Sequence, residues 1–130
     1  MDERGDEADG LARKFRKELS AGTVALVLLA ILEQAGEDLY GYQIAKRLAG
    51  GGPAPLATKQ GALYPVLRTL SAHGLLASRV VPSYAGPPRR YYRITPLGRR
   101  VLAEWRSIWR DTQSFVDDVL GPATETEKSP

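Results

Sequence analysis

Residues 59–70 read KQGALYPVLRTL, and the fold turns on how this stretch is read. Leu63, Val66, Leu67 and Leu70 recur at i, i+3, i+4 and i+7, one face of an α-helix. Gly61 and Pro65 lie inside the same run. In a helix interior Gly costs about 1 kcal/mol and Pro about 3 kcal/mol relative to Ala. On a helical wheel the face opposite the leucines holds Thr58, Gly61, Pro65, Arg68 and Ala72, with Ala62 and Tyr64 at its flanks. The proline ring crowds the carbonyl four residues back, here that of Gly61, and glycine leaves that carbonyl free to tilt aside. The pattern predicts a helix that opens at Thr58, bends slightly, and closes at His73-Gly74 with glycine as the C′ residue. Its outer face is small and basic, so its backbone can approach another molecule closely.

Working towards the N-terminus, GYQIAKRLA (41–49) is a second helix with Ile44, Ala45 and Leu48 inward, stopped by GGG at 50–52. Residues 21–35 form a helix that is apolar nearly all round and therefore central; Gly36 ends it. LARKFRKEL (11–19) reads as a short basic amphipathic segment, and MDERGDEADG (1–10) as a disordered acidic tail. Towards the C-terminus the period changes from helix to strand. LASRVVP (76–82) and RRYYRIT (89–95) flank SYAGPP, a hairpin with a Gly/Pro tip. Thr95-Pro96 supplies an N-cap followed by Pro at N1. The last helix runs to Leu120, and 121–130 is a flexible tail. Three helices, a hairpin and a long helix make a mainly α chain. Residues 11–95 are expected to form a winged helix-turn-helix DNA-binding domain and 96–120 a dimerisation helix. In that arrangement the third helix enters the major groove and the hairpin reaches flanking DNA.

Charge supports a polyanionic partner. The 130 residues carry a net charge of +3, but residues 1–10 carry −4 and 121–130 carry −1, which leaves +8 on 11–120. Residues 39–103 contain ten Lys or Arg and no Asp or Glu. A stretch so biased attracts nucleic acid, although a solvated basic surface has the same composition. There is no cysteine, hence no disulfide and no thiolate metal site. No cofactor or metal is expected. The longest apolar run, VALVLLAIL (24–32), is short of the about 20 residues that span a bilayer, so no membrane partner and a cytoplasmic location are expected.

YGYQIAKRL (40–48), GALYPVLRTLSAHGLL (61–76) and GPPRRYYRITPLGRR (86–100) resemble the PadR-like transcriptional regulators. The resemblance covers roughly residues 20–110. The LYP and RYYRIT blocks are specific in combination and weak singly. The resemblance implies a dimeric DNA-binding protein, usually a repressor, often released from DNA by a small molecule. The single helix after the hairpin resembles the family's short branch. Ala62 stands where Thr is common, which removes a hydroxyl, and the GGGPAP connection is richer in Gly and Pro than the family's usual form.

Candidate DNA contacts follow from the third helix and the wing. Thr58, Lys59, Gln60 and Tyr64 add donors near a helix N-terminus that itself favours phosphate. Gln60 suits adenine, and Arg68 suits guanine or phosphate. Gly61, Ala62 and Pro65 keep the outer face bare. Tyr64 can equally pack between helices. Arg89 and Arg90, beside the hairpin tip, are the wing candidates for phosphate or minor-groove contact. Strand alternation puts Arg89, Tyr91 and Arg93 on one face and Arg90, Tyr92 and Ile94 on the other. Tyr42 and Lys46 lie on the helix that would cross the backbone, with core packing the stronger alternative for Tyr42.

The last helix carries a heptad seam of Val101, Trp105, Ile108, Thr112, Phe115 and Val119, with Leu102, Trp109 and Val116 as a second column. A stripe this wide calls for a second copy of the chain, joined by residues 11–19 and the first helix. Two winged domains on a two-fold axis would address a pseudo-palindromic operator. Trp105 and Trp109 at i, i+4 suit simple dimer packing, or a pocket for a planar aromatic effector. An enzyme is not expected. The one histidine, His73, precedes a C-cap glycine, and no nucleophile–base pair or P-loop is present. The competing readings are a winged helix that binds protein and a MarR-like regulator.

Overall fold

The computed structural model describes residues 3–50 and 60–122. Its elements in chain order are α1 (Glu3–Ala35), β1 (Leu39–Tyr40), α2 (Gly41–Ala49), α3 (Gln60–Ala72), β2 (Leu76–Val81), β3 (Arg89–Ile94) and α4 (Pro96–Leu120). The leucine face of the opening stretch is the inner face of α3: Leu63, Leu67 and Leu70 are buried and Val66 is half-buried. They meet Leu28, Leu29 and Leu32 of α1, Ile44 and Leu48 of α2, and Tyr92 and Ile94 of β3 in one core.

α3 ends where glycine was expected to end it. Gly74 adopts φ +76, open to glycine with little strain. The Leu75 N–H donates to the Leu70 carbonyl (3.0 Å) and the Gly74 N–H to the Ser71 carbonyl (3.0 Å), the paired bonds of a Schellman motif. The chain then enters β2. β3 lies at the centre of a three-stranded antiparallel sheet of order β1-β3-β2, with Leu76 opposite Ile94 and Val81 opposite Arg89. The third strand, β1, was not foreseen. Its two residues are too short to show a period, and they pair Leu39 with Tyr92 and Tyr40 with Tyr91. Thr95 caps α4: its hydroxyl accepts from the Gly98 N–H (2.9 Å) and donates to the Gly74 carbonyl (2.7 Å). One side chain thus ties the end of α3 to the start of α4.

Two expectations are corrected. The acidic segment is not a separate tail, because helix runs without a break from Glu3 to Ala35 and takes in both 3–10 and 11–19. No proline interrupts it, and acids in its first turns suit the positive end of the helix dipole. Residues 96–120 are not solely a partner-making helix either. Leu102 is 1% exposed in the domain's own core, and Val101 and Trp105 pack against that core. The first three turns of α4, through Trp105, still lie on the domain, so the seam becomes exposed only from Ile108 on. α1 also contains a window of mean hydropathy 1.5, apolar and long enough to cross a membrane. Its Val24, Leu28, Leu29 and Leu32 are buried core residues.

Candidate nucleic-acid interface

The outer face of α3 is open. Ala62, Pro65, Arg68, Thr69 and Ala72 are all exposed, and helical geometry continues through Pro65. The Thr69 hydroxyl donates to the Pro65 carbonyl (3.0 Å), and His73 Nδ1 lies 2.9 Å from the Thr69 carbonyl. These local bonds turn the polar side chains back onto the helix and leave Arg68 as the long cationic group on this face. Thr58 and Lys59 lie outside the described residues. Gln60 and Gly61 are described as backbone of the first turn of α3.

Tyr64 is half-buried, and its ring lies on Gly41 at the start of α2. A Cβ on Gly41 would sit 2.6 Å from the Tyr64 hydroxyl and 2.9 Å from Cε1, a separation only glycine permits. Tyr64 therefore packs between the two helices of the helix-turn-helix and fixes their approach. Tyr42 is 54% exposed, contrary to the core packing favoured for it, and stacks on Tyr40 at 6.4 Å. Lys46 is exposed in the last turn of α2. The start of α2 is further fixed by the Tyr40 N–H, which donates to Gln43 Oε1 (3.1 Å).

The wing arginines divide between the two faces of the sheet. Arg90 lies on the face of Tyr92 and Ile94, and its guanidinium donates to the Ser78 hydroxyl of β2 (3.0 Å). Tyr92 is 3% exposed, and burial pushes its phenol above the ordinary value; the positive charges of Arg90 and Arg68 act in the opposite direction. Arg90 of β3 and Arg68 of α3 thus lie within electrostatic reach of one hydroxyl. Both arginines are exposed. Arg89 lies on the other face, 4.6 Å over the Tyr40 ring. Tyr40 meets Tyr91 edge-on at 5.4 Å, Arg79 lies 5.1 Å over Tyr91, and Arg79 Nε donates to Asp38 (2.9 Å). Sequence reasoning left out Ser78, Arg79 and the partner role of Tyr40. Each depends on cross-strand register, which no single strand displays.

A second candidate site lies between α1 and α4. Trp105, Ile108, Trp109 and Thr112 face Leu19, Gly22, Thr23 and Leu26 across a cavity of about 440 Å³. Its lining is mostly apolar, with Glu18 at one side. Beyond it Phe115, Val116 and Val119 of α4 and Leu11 and Phe15 of α1 are exposed. The Arg106–Glu33 pair (3.4 Å) joins the two helices nearer the domain.

Residues 28–104 match the family described as Transcriptional regulator PadR-like family. Transcriptional regulator Rv3488 of Mycobacterium tuberculosis is 38% identical over 105 residues, which are 78% of this chain and 90% of that protein. The crystal structure of a PadR family transcriptional regulator from Eggerthella lenta has a TM-score of 0.75 and 32% identity, covering 90% of this chain and 98% of its own. Bacillus subtilis PadR in complex with operator DNA shares the fold at a TM-score of 0.57 and 22% identity, over 63% of this chain and 45% of its own.

Proposed function

The chain belongs to the PadR-like family of transcriptional regulators, and from that premise we propose that it is an effector-responsive repressor, binding a pseudo-palindromic operator as a homodimer. Membership makes it a DNA-binding transcription regulator rather than an enzyme, and sets aside a MarR-like assignment. The observation that carries the reading is the open outer face of α3, with Arg68 exposed on it, together with a hairpin strand that begins Arg89-Arg90. A helix presenting one cation and a wing presenting another, with no acid between residues 39 and 103, suits duplex DNA. Arg68, Gln60 and the bare Ala62–Pro65 surface address the major groove. Lys59, Thr58 and the first turn of α3 address phosphate. Arg89 and Arg90 address the flanking groove, and Lys46 and Tyr42 the backbone.

The exposed apolar residues of α4 and α1 support a homodimer. Contiguous surface of this kind calls for a partner, and a second copy supplies the same stripe in self-complementary form. The cavity beside Trp105 and Trp109 supports a planar aromatic effector. The reading carries with it a cytoplasmic location. Selection of bound sequences from a randomised duplex pool tests it. Enrichment of a two-fold sequence with half-sites about one helical turn apart supports the reading, and a pool that stays random refutes sequence-specific binding.

A further inference from the structure

The outer face of the wing holds two stacked arginines in unequal circumstances. Arg79 lies over Tyr91, and its Nε is committed to the Asp38 carboxylate. Arg89 lies over Tyr40 at the shorter distance of 4.6 Å, and among the described residues its N–H groups have no hydrogen-bond partner. A guanidinium stacked on a ring uses its π face and keeps the donors at its rim available. Tyr40 is itself held from three sides: by Tyr91 edge-on at 5.4 Å, by Tyr42 at 6.4 Å, and by its backbone bond to Gln43. It is both the last residue of β1 and the residue before α2, so the platform under Arg89 joins the sheet to the helix-turn-helix.

We propose that Tyr40 is a positioning residue for DNA binding: its ring fixes Arg89 so that the guanidinium rim is presented to a phosphate on the outer side of the wing. Arg79 of β2 braces the same layer from the far strand through its bond to Asp38, the residue before β1. Arg90 is held on the opposite face by Ser78, so the wing carries one fixed cation on each side of its sheet. A hairpin built in this way can engage the two phosphate walls of a groove, with Arg89 on one and Arg90 on the other. Fixing Arg89 beforehand removes rotamer freedom that binding would otherwise have to remove. The inference rests on the DNA-binding reading above.

The test is fluorescence anisotropy on a fluorescein-labelled mixed-sequence duplex at low salt, with wild type, Tyr40→Phe, Tyr40→Leu, Arg89→Ala and the Tyr40→Leu/Arg89→Ala pair. Tyr40→Phe keeps the ring and should bind as wild type does. Tyr40→Leu and Arg89→Ala should each weaken binding by about three- to tenfold, and the double variant no further than Arg89→Ala alone. Losses that multiply in the double variant overturn the positioning role, as does an Arg89→Ala loss with none in Tyr40→Leu. Wild type that fails to bind the duplex overturns the DNA reading itself and the presenting role with it. A measurement without DNA guards against a Tyr40→Leu variant that does not fold. In wild-type protein the Arg89 Cδ protons should show the upfield ring-current shift of a stacked guanidinium stem, retained in Tyr40→Phe. Unshifted protons overturn the stacking.

Discussion

Arg68 and Arg90 come from elements separated by a whole strand, yet both act on the Tyr92 phenol. Removing either should weaken binding to duplex DNA and flatten its salt dependence, by roughly one counterion per arginine. Anisotropy titrations across a salt series would show this as a shallower slope for Arg68→Ala and Arg90→Ala. Tyr92 makes a separate prediction. Its pKa is raised in the fold, so the stability it contributes is present below the unfolded value near 10 and is lost as pH rises further. Urea denaturation should show alkaline weakening above about pH 10 that Tyr92→Phe reduces. Gly41 has no room for a methyl group against Tyr64. Gly41→Ala should lower stability by about 1–3 kcal/mol in the same assay, with part restored by Tyr64→Phe, which removes the nearest atom. At this scale the sequence was readable where position along one strand decides, as for the two arginines that stand beside the hairpin tip. It was unreadable where a partner decides. Nothing in RRYYR says that Arg89 will lie on Tyr40, far earlier in the chain, or that Arg90 will reach Ser78.

At the scale of the element, α3, the hairpin and α4 follow from local rules. The i, i+3, i+4 spacing, the C′ glycine and the Thr-Pro start are signals contained within one segment, and α3, Gly74 and Thr95 obey them. β1 escaped because two residues become a strand only when β3 is beside them. α1 was divided in error at Gly10 and Ser20, which resemble punctuation, yet neither is a proline and the helix continues through both. Leu102 was assigned to a partner because a heptad seam does not say where a helix leaves its own domain. Pro65 gives the prediction proper to this scale. It sits exposed on the outer face of α3 and deprives the Gly61 carbonyl of a donor. Pro65→Ala should raise stability by up to about 3 kcal/mol, seen as a higher midpoint in urea, with no matching gain in DNA affinity.

At the scale of the whole molecule, α1 and α4 carry the winged domain at one end and an uncovered apolar surface towards the other. If two copies close over that surface, Phe115→Asp with Val119→Asp should yield monomers in sedimentation velocity. DNA affinity should fall by about the avidity one half-site loses when its twin is no longer linked. A planar aromatic compound that fills the Trp105–Trp109 cavity should quench tryptophan fluorescence in wild type and not in Trp109→Ala. A panel of such compounds with no quenching would remove the effector from the reading while leaving DNA binding intact.

The unbroken run of α1 has an electrostatic consequence. From Glu7 to Leu28 a rigid helix rises about 30 Å, several times the roughly 8 Å over which physiological salt screens a charge. A loose acidic tail could fold back over Arg68 and Arg90 as an internal mimic of DNA and compete with the operator. A continuous helix holds those carboxylates about 30 Å along its axis from the level of Leu28, several screening lengths away. Prolines in place of Ala21 and Gly22 would break the rod and let that self-competition begin, visible as weaker DNA binding that raised salt partly relieves.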